Sequence, residues 1–245
     1  KWMLKQLRET SKRVFQSSFD ELCSHLDCNK DGKVDTLDEV RLLFFGDMLS
    51  PAAVPKRPYN ECPDVAVLQS EVEAHLTSHN EMTSTPMDLV CFLYMLEHLS
   101  RVARVVKSSG GNALLVGVGG SGRQSVTRLA CFMADTLVFQ IEIAKGYDLT
   151  AFRDDMKNML TKAGGQGEQT VFLFSDTQIK DEGFVEDINN LLNSGEIPNL
   201  YPPDEKVNVC EMVRSAARDE GKAPDGTPAQ LFNYFVERCR AMLSV

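Results

Sequence analysis

The stretch 113–130 constrains the fold more than any other part of the chain. Four apolar residues, 113–116, run into a loop with glycines at 117, 119, 120 and 122, and apolar residues at helical spacing follow. This order predicts a strand, a phosphate-binding loop and a helix. Glycines let backbone N–H groups point inward, and the helix start adds unpaired N–H groups and a positive dipole end. We expect an anion to be bound by Gly117, Val118, Gly119, Gly120, Ser121, Gly122, Arg123, Gln124 and Ser125.

The loop departs from the pattern G-x-x-x-x-G-K-[ST] at its two chemical positions. Arg123 stands in the Lys position and Gln124 in the Ser/Thr position. Arg123 can still neutralise phosphate charge, although a planar guanidinium is bulkier than an ammonium. The Gln124 amide is a weaker Mg²⁺ ligand than a hydroxyl there, and Ser125 is rotated by about 100° around the helix. The alternative is that the glycines only form a tight turn between strand and helix.

A second apolar strand, predicted at 170–176, ends in Asp176. A carboxylate at the end of such a strand can hold Mg²⁺ through water. In hydrolytic members of this class a Glu follows and activates the attacking water, whereas this chain has Thr177, whose hydroxyl is no base near neutral pH. With three altered positions, the sequence predicts nucleotide binding without efficient turnover and no catalytic residue.

The order of strands and helices predicts an α/β fold with a parallel sheet. Predicted strands at 113–116, 137–143 and 170–176 alternate with helices after 122 and at 149–160, and a helix over 87–107 precedes them. A net charge of −9 argues against nucleic-acid and anionic-membrane partners. Seven cysteines without a C-x-x-C pair indicate free thiols in a reducing compartment, so we expect a cytosolic protein.

The first part of the chain predicts amphipathic helices over 1–26, followed by a loop that matches most of the EF-hand pattern. Gly32 at the sixth position requires left-handed backbone. A shorter Asp replaces the closing Glu at position 12, and no second hand is evident, so we expect a turn without functional Ca²⁺ affinity. A Ca²⁺-responsive interaction module with a relic phosphate loop is the alternative. Its candidate ligands are Asp27, Asn29, Asp31, Lys33, Asp35 and Asp38.

Residues 117–125, 172–182 and 187–200 together resemble the fourth AAA+ module of axonemal dynein heavy chains. The resemblance implies a large α/β subdomain with strand order 5-1-4-3-2, which binds ATP or ADP with weakly held Mg²⁺ in a regulatory role. It implies a microtubule motor of the cytoplasm and cytoskeleton, in the axoneme of cilia or flagella. Implied partners are neighbouring AAA+ modules, dynein intermediate and light chains, and microtubules. It places adenine against Met87, Leu89 and Val90.

The resemblance also implies the organisation of the chain. Residues 1–46 would be a helical tail of the preceding module, 47–64 a Pro-rich linker, and 65–245 a large subdomain that is incomplete at its C-terminus. Only 243–245 would fill the central strand position between 113–116 and 170–175. We therefore expect this chain alone to have no motor activity and to form no stable monomer.

Overall fold

The computed structural model describes residues 2–49, 57–62, 64–223 and 226–245, which form two compact units, 1–100 and 101–245. No helix in these described ranges is both long enough and apolar enough to cross a membrane. The predicted linker 47–64 lies partly outside the described residues. The predicted segment boundaries concern modules of a longer chain and stay a prediction.

The first unit consists of short helices, a two-stranded sheet and one long helix. Its helices are α1 (Trp2–Phe15), α2 (Phe19–Leu22), α3 (Leu37–Val40) and α4 (Val65–Met82), and α5 (Leu93–Lys107) contains the boundary to the second unit. The strands β1 (Phe44–Gly46) and β2 (Asn60–Cys62) pair antiparallel, with Phe44 opposite Cys62. Part of the predicted linker is therefore a strand. A buried cluster of Leu4, Phe19, Cys23, Leu26 and Val34 forms the core around the first two helices.

The helix predicted over 87–107 begins only at Leu93, so its first six residues were predicted wrongly. Asn80 explains the difference. Its side-chain Nδ2 donates to Met87 O, and Met87 N donates to Asn80 Oδ1, each over 2.8 Å. Both backbone groups of Met87 are thus bonded to the side chain of Asn80, and residues 87–92 are not helical.

The second unit is a three-stranded parallel sheet packed with helices, which confirms the predicted α/β class. Its strands are β3 (Leu137–Phe139), β4 (Thr170–Phe172) and β5 (Leu243–Ser244). Its helices are α6 (Arg123–Met133), α7 (Leu149–Leu160), α8 (Glu182–Ser194), α9 (Pro203–Asp219) and α10 (Pro228–Met242), with a π-helical turn at Thr161–Gln166 and a 3-10 turn at Asp176–Gln178. The strands are shorter than the predicted 137–143 and 170–176, although Leu173 N still donates to Phe139 O beyond them.

The main core of this unit includes side chains from α7, α8, α9 and α10. Phe152 and Phe184 are fully buried and their rings stack with centroids 4.3 Å apart. Gly164, in the π-helical turn, lies so close to α10 that a Cβ there would overlap Cys239 Sγ. A glycine is therefore required where the turn meets this helix.

The strand predicted at 113–116 is not formed, and this prediction was wrong. Ala113 N donates to Val245 O over 2.9 Å, and Val245 N donates to Asn112 Oδ1. Among the described residues no strand pairs with 114–118, and the side chains of Leu114 and Val116 are 89% and 84% exposed. A strand needs a ladder on at least one edge, and one hydrogen bond does not provide it.

The position of 243–245 is as predicted. Residues 243–244 pair with β4 on one side, with Val171 opposite Ser244, and Val245 accepts from Ala113 on the other side. The last residues of the sequence thus lie between the third predicted strand and the start of the first.

Candidate functional site

The loop 117–122 contains two glycines in left-handed backbone and ends at the start of a helix. Gly120 and Gly122 adopt left-handed conformations with φ of +74° and +73°. Gly122 is the N-cap of α6, and its carbonyl accepts from Val126 N over 2.8 Å. Residues 117–121 are exposed. The loop therefore leads directly into the N-terminus of an 11-residue helix, where free N–H groups and the helix dipole favour an anion.

Arg123, the residue in the Lys position, folds back over this loop. Its Nη1 donates to Leu115 O over 3.2 Å and its Nη2 donates to Val118 O over 3.1 Å. The guanidinium therefore joins the approach to the loop with the loop itself. Its fork of donors allows this, because one lysine ammonium presents no such planar geometry.

Gln124 and Ser125 occupy the first turn of α6. Gln124 is exposed and Ser125 is half-buried. Arg123 O in the same turn accepts from Thr127 Oγ1 over 2.9 Å, within the helix and away from the loop. These positions leave Gln124 open to a ligand in solution, and Ser125 partly so.

Asp176 lies in the 3-10 turn that follows β4 and is exposed. Its Oδ1 accepts from Thr177 N over 3.0 Å. The Thr177 hydroxyl oxygen lies 2.9 Å from Ser175 Oγ. The turn thus presents one carboxylate to solvent, while the neighbouring threonine hydroxyl is paired with a serine.

Comparison with known proteins decides the family. Residues 87–245 match the family model described as P-loop containing dynein motor region D4. The chain belongs to this dynein motor family. We call residues 87–245 the D4 segment.

The relatives of the D4 segment are axonemal. The chain is 44% identical over 232 residues to dynein axonemal heavy chain 3 of Mus musculus, which covers 95% of this chain and 6% of that protein. It is 42% identical over 232 residues to dynein axonemal heavy chain 3 of Homo sapiens, with the same coverage. It is 42% identical over 199 residues to dynein axonemal heavy chain 1 of Homo sapiens, 81% of this chain and 5% of that protein. The chain thus spans about one twentieth of the length of these relatives, and the predicted axonemal dynein resemblance is confirmed.

The residues expected against adenine lie at the start of the D4 segment, in the extended stretch before α5. Leu89 is half-buried, and Val90 is 74% exposed. The backbone of Met87 is already bonded to Asn80 on both its N–H and its C=O. Any contact of Met87 with a base would therefore come from its side chain. Asn80 matches no motif, and sequence reasoning missed it.

The EF-hand-like loop closes on its own backbone. Asp27 Oδ2 accepts from Gly32 N over 2.8 Å, and Asp31 Oδ1 accepts from Lys33 N over 2.8 Å. Gly32 has the predicted left-handed backbone, with φ of +83°. Asp38, at position 12, is 91% exposed. In the part of the chain that the structure describes, no group of three or more His, Cys, Asp or Glu side chains is arranged to hold a metal ion.

The remaining candidates of this loop are held by short local hydrogen bonds. Asn29 Oδ1 accepts from Asp31 N over 3.0 Å, so Asn29 and Asp31 are brought together. Asp35 N donates instead to Glu39 Oε2, which also closes a capping box with Thr36. The expectation of no functional Ca²⁺ affinity stays a prediction.

Proposed function

We propose that this chain is a nucleotide-binding segment of an axonemal dynein motor, which takes ATP or ADP with Mg²⁺ and turns it over slowly or not at all. One observation carries the proposal. Glycines in left-handed conformations at 120 and 122 lead an exposed loop into the N-terminus of α6. This arrangement combines backbone N–H donors with a helix dipole, which suits the phosphates of a nucleotide.

The side chains expected at the site have the chemistry that a phosphate with its metal ion needs. The Arg123 guanidinium supplies positive charge beside the loop, since its donors reach Val118 O. The exposed Asp176 carboxylate suits Mg²⁺ held through water, with Gln124 and Ser125 in the first turn of α6. When bound, Mg²⁺ neutralises phosphate charge.

We propose slow turnover chiefly because of Thr177, the residue that follows Asp176. Thr177 occupies the position of the water-activating Glu, and its hydroxyl lies 2.9 Å from Ser175 Oγ. A threonine hydroxyl cannot accept a proton from water near neutral pH. Gln124 in the hydroxyl position weakens the hold on Mg²⁺. Bound nucleotide would therefore act as a regulatory ligand.

The setting follows from the relatives and is likewise proposed. Relatives named axonemal dynein heavy chains suggest a microtubule motor in the cytoskeleton of cilia or flagella. Neighbouring AAA+ modules of one heavy chain would be the immediate partners, with dynein intermediate and light chains and microtubules reached through the whole protein. Adenine would lie against Met87, Leu89 and Val90.

A pair of glycine variants tests nucleotide binding in an axonemal dynein heavy chain that carries this segment, with the other nucleotide sites inactivated. Gly120 and Gly146 both have positive φ, and a Cβ at either meets no atom within 4 Å. Val at such a φ is strained by about 1–3 kcal/mol. Gly146→Val therefore controls for backbone strain outside the loop.

We expect Gly120→Val to weaken ADP binding by about tenfold or more, because a strain of this size at the loop redirects its N–H groups. Gly146→Val should bind ADP like the wild type. Equal ADP affinities in the two variants would contradict phosphate binding by the loop. Titration calorimetry gives both affinities.

A further inference from the structure

Gln178 is a buried amide that closes the turn around Asp176. Its Oε1 accepts from Ser175 N over 2.8 Å and from Ser175 Oγ over 3.1 Å. Gln178 is only 7% exposed. Hydrogen bonds between Ser175 and Gln178 thus close the turn 175–178 into a ring, and Asp176 lies between these two residues in the chain. Since the Asp176 carboxylate bonds the N–H of the next residue, its direction follows the backbone of this ring.

The other end of the Gln178 amide leaves the turn. Its Nε2 donates to Ile141 O over 2.7 Å. Ile141 is buried and lies two residues after the end of β3. Phe139, the last residue of β3, accepts from Leu173 N. The acidic turn is therefore attached to the chain that continues from the neighbouring strand.

The same short segment also holds the helix of the phosphate loop. Gln140 Oε1 accepts from Arg128 Nη2, and Arg128 lies on α6, five residues after the start of that helix. Residues 140 and 141 are thus bonded to α6 through one side chain and to the acidic turn through one carbonyl. Both parts of the proposed phosphate site share this anchor.

We infer that Gln178 is a positioning residue, which sets the direction of the Asp176 carboxylate toward a Mg²⁺-bearing phosphate and holds it in register with α6 through segment 140–141. The inference rests on the proposed nucleotide binding. A buried amide that satisfies both of its ends fixes its partners more firmly than a solvent-exposed one, since breaking either bond leaves a polar group unpaired.

An exposed glutamine provides the control. Gln169 Nε2 donates to Val106 O over 2.6 Å, so it also ties one amide to one backbone carbonyl. It lies before β4 and outside the acidic turn. Gln169→Met removes one amide–carbonyl bond at an exposed position, whereas Gln178→Met removes two bonds within the turn and one to Ile141. Both substitutions keep the length of the side chain.

The experiment measures ADP affinity with Mg²⁺ and with EDTA, in an axonemal dynein heavy chain carrying this segment whose other nucleotide sites are inactivated. The readout is the gain in affinity that Mg²⁺ produces. We expect Gln178→Met to reduce this gain by about tenfold, because a misdirected Asp176 carboxylate loses its charge-assisted contact with the hydrated ion, and to leave the affinity in EDTA within about twofold. Gln169→Met should change neither affinity.

A purely structural Gln178 would lower both affinities together or change only the melting temperature, and either result would overturn the inference. If Gln178→Met does not fold, Ser175→Ala is the variant that tests the inference. It removes the Ser175 Oγ contacts with Gln178 Oε1 and Thr177 Oγ1 and keeps the bonds of Gln178 to Ser175 N and Ile141 O. We therefore expect a smaller loss of the Mg²⁺ gain, and an unchanged gain would overturn the inference. Wild type that binds no ADP in either solution would overturn the proposed function as well. Wild-type binding with an unchanged Mg²⁺ gain in both turn variants overturns this inference alone.

Discussion

Arg123 shows what one residue adds to a loop built mainly from backbone. Its guanidinium bonds Leu115 O and Val118 O, so in the ligand-free loop its charge already has partners. A phosphate must share or replace these carbonyls. The arginine thus stabilises the shape of the empty loop and supplies charge to the filled one. Whether charge or backbone dominates nucleotide affinity is open to direct measurement.

Substituting Arg123 separates these contributions. We expect Arg123→Ala to weaken ADP binding by about 1–3 kcal/mol, because a charged hydrogen-bonding partner of the phosphate is lost. Arg123→Lys, the matched control, keeps the charge but not the planar fork. Its ADP affinity should lie between those of the wild type and Arg123→Ala. Calorimetric titration of a heavy chain carrying the segment measures all three. Unchanged affinity in Arg123→Ala would mean that the backbone alone holds the phosphates.

Single residues were predictable where a motif defines them and not where packing does. Arg123, Gln124 and Asp176 stand at positions fixed by a spacing in the sequence. The partners of Arg123 depend on the path of the loop backbone, which no spacing defines. Gln178 and Asn80 have no motif at all, because an amide that bonds a distant backbone is visible only once the fold is known.

At the scale of elements, periodicity identified helices well and strands poorly. The helix predicted at 149–160 is α7, with the same bounds, since an amphipathic pattern of this length is unambiguous. The strands at 137 and 170 begin where predicted but end early, as each chain leaves the ladder for the turn region. Residues 113–116 have the composition of a strand without its partner, and composition alone does not form one.

The EF-hand-like loop has most of the EF-hand sequence pattern, but we do not expect it to bind Ca²⁺. Asp27 and Asp31 accept hydrogen bonds from N–H groups of the loop itself, and the exposed Asp38 lies 3.6 Å from Arg41 Nη1. An aspartate at position 12 is also one methylene shorter than the usual bidentate glutamate. These features favour a turn between helices.

We therefore expect no Ca²⁺ binding in the micromolar range by a polypeptide spanning residues 1–60, measured by calorimetry. Asp38→Glu provides the comparison, because it restores the reach of the closing ligand and should raise Ca²⁺ affinity. A dissociation constant near micromolar for the unaltered loop would favour the Ca²⁺-responsive module instead.

At the scale of the whole molecule, the family resemblance placed 243–245 correctly in the sheet, whereas the strand predicted at 113–116 is not formed. Residues 243–245 lie between β4 and Ala113, as the family strand order implies. Leu114 and Val116, which follow Ala113, are exposed. The expected instability of this chain as an isolated monomer stays a prediction, and tests of the nucleotide site therefore belong in a full heavy chain.

The central claim is a site that binds nucleotide but scarcely hydrolyses it, because a threonine hydroxyl, already close to Ser175 Oγ, stands where a base is needed. Single-site turnover in a heavy chain carrying this segment, with the other nucleotide sites inactivated, tests it most directly. We predict stoichiometric ATP or ADP binding and hydrolysis far slower than about 1 per second, the lower end of kinase rates. Hydrolysis at about 1 per second or faster would contradict the account.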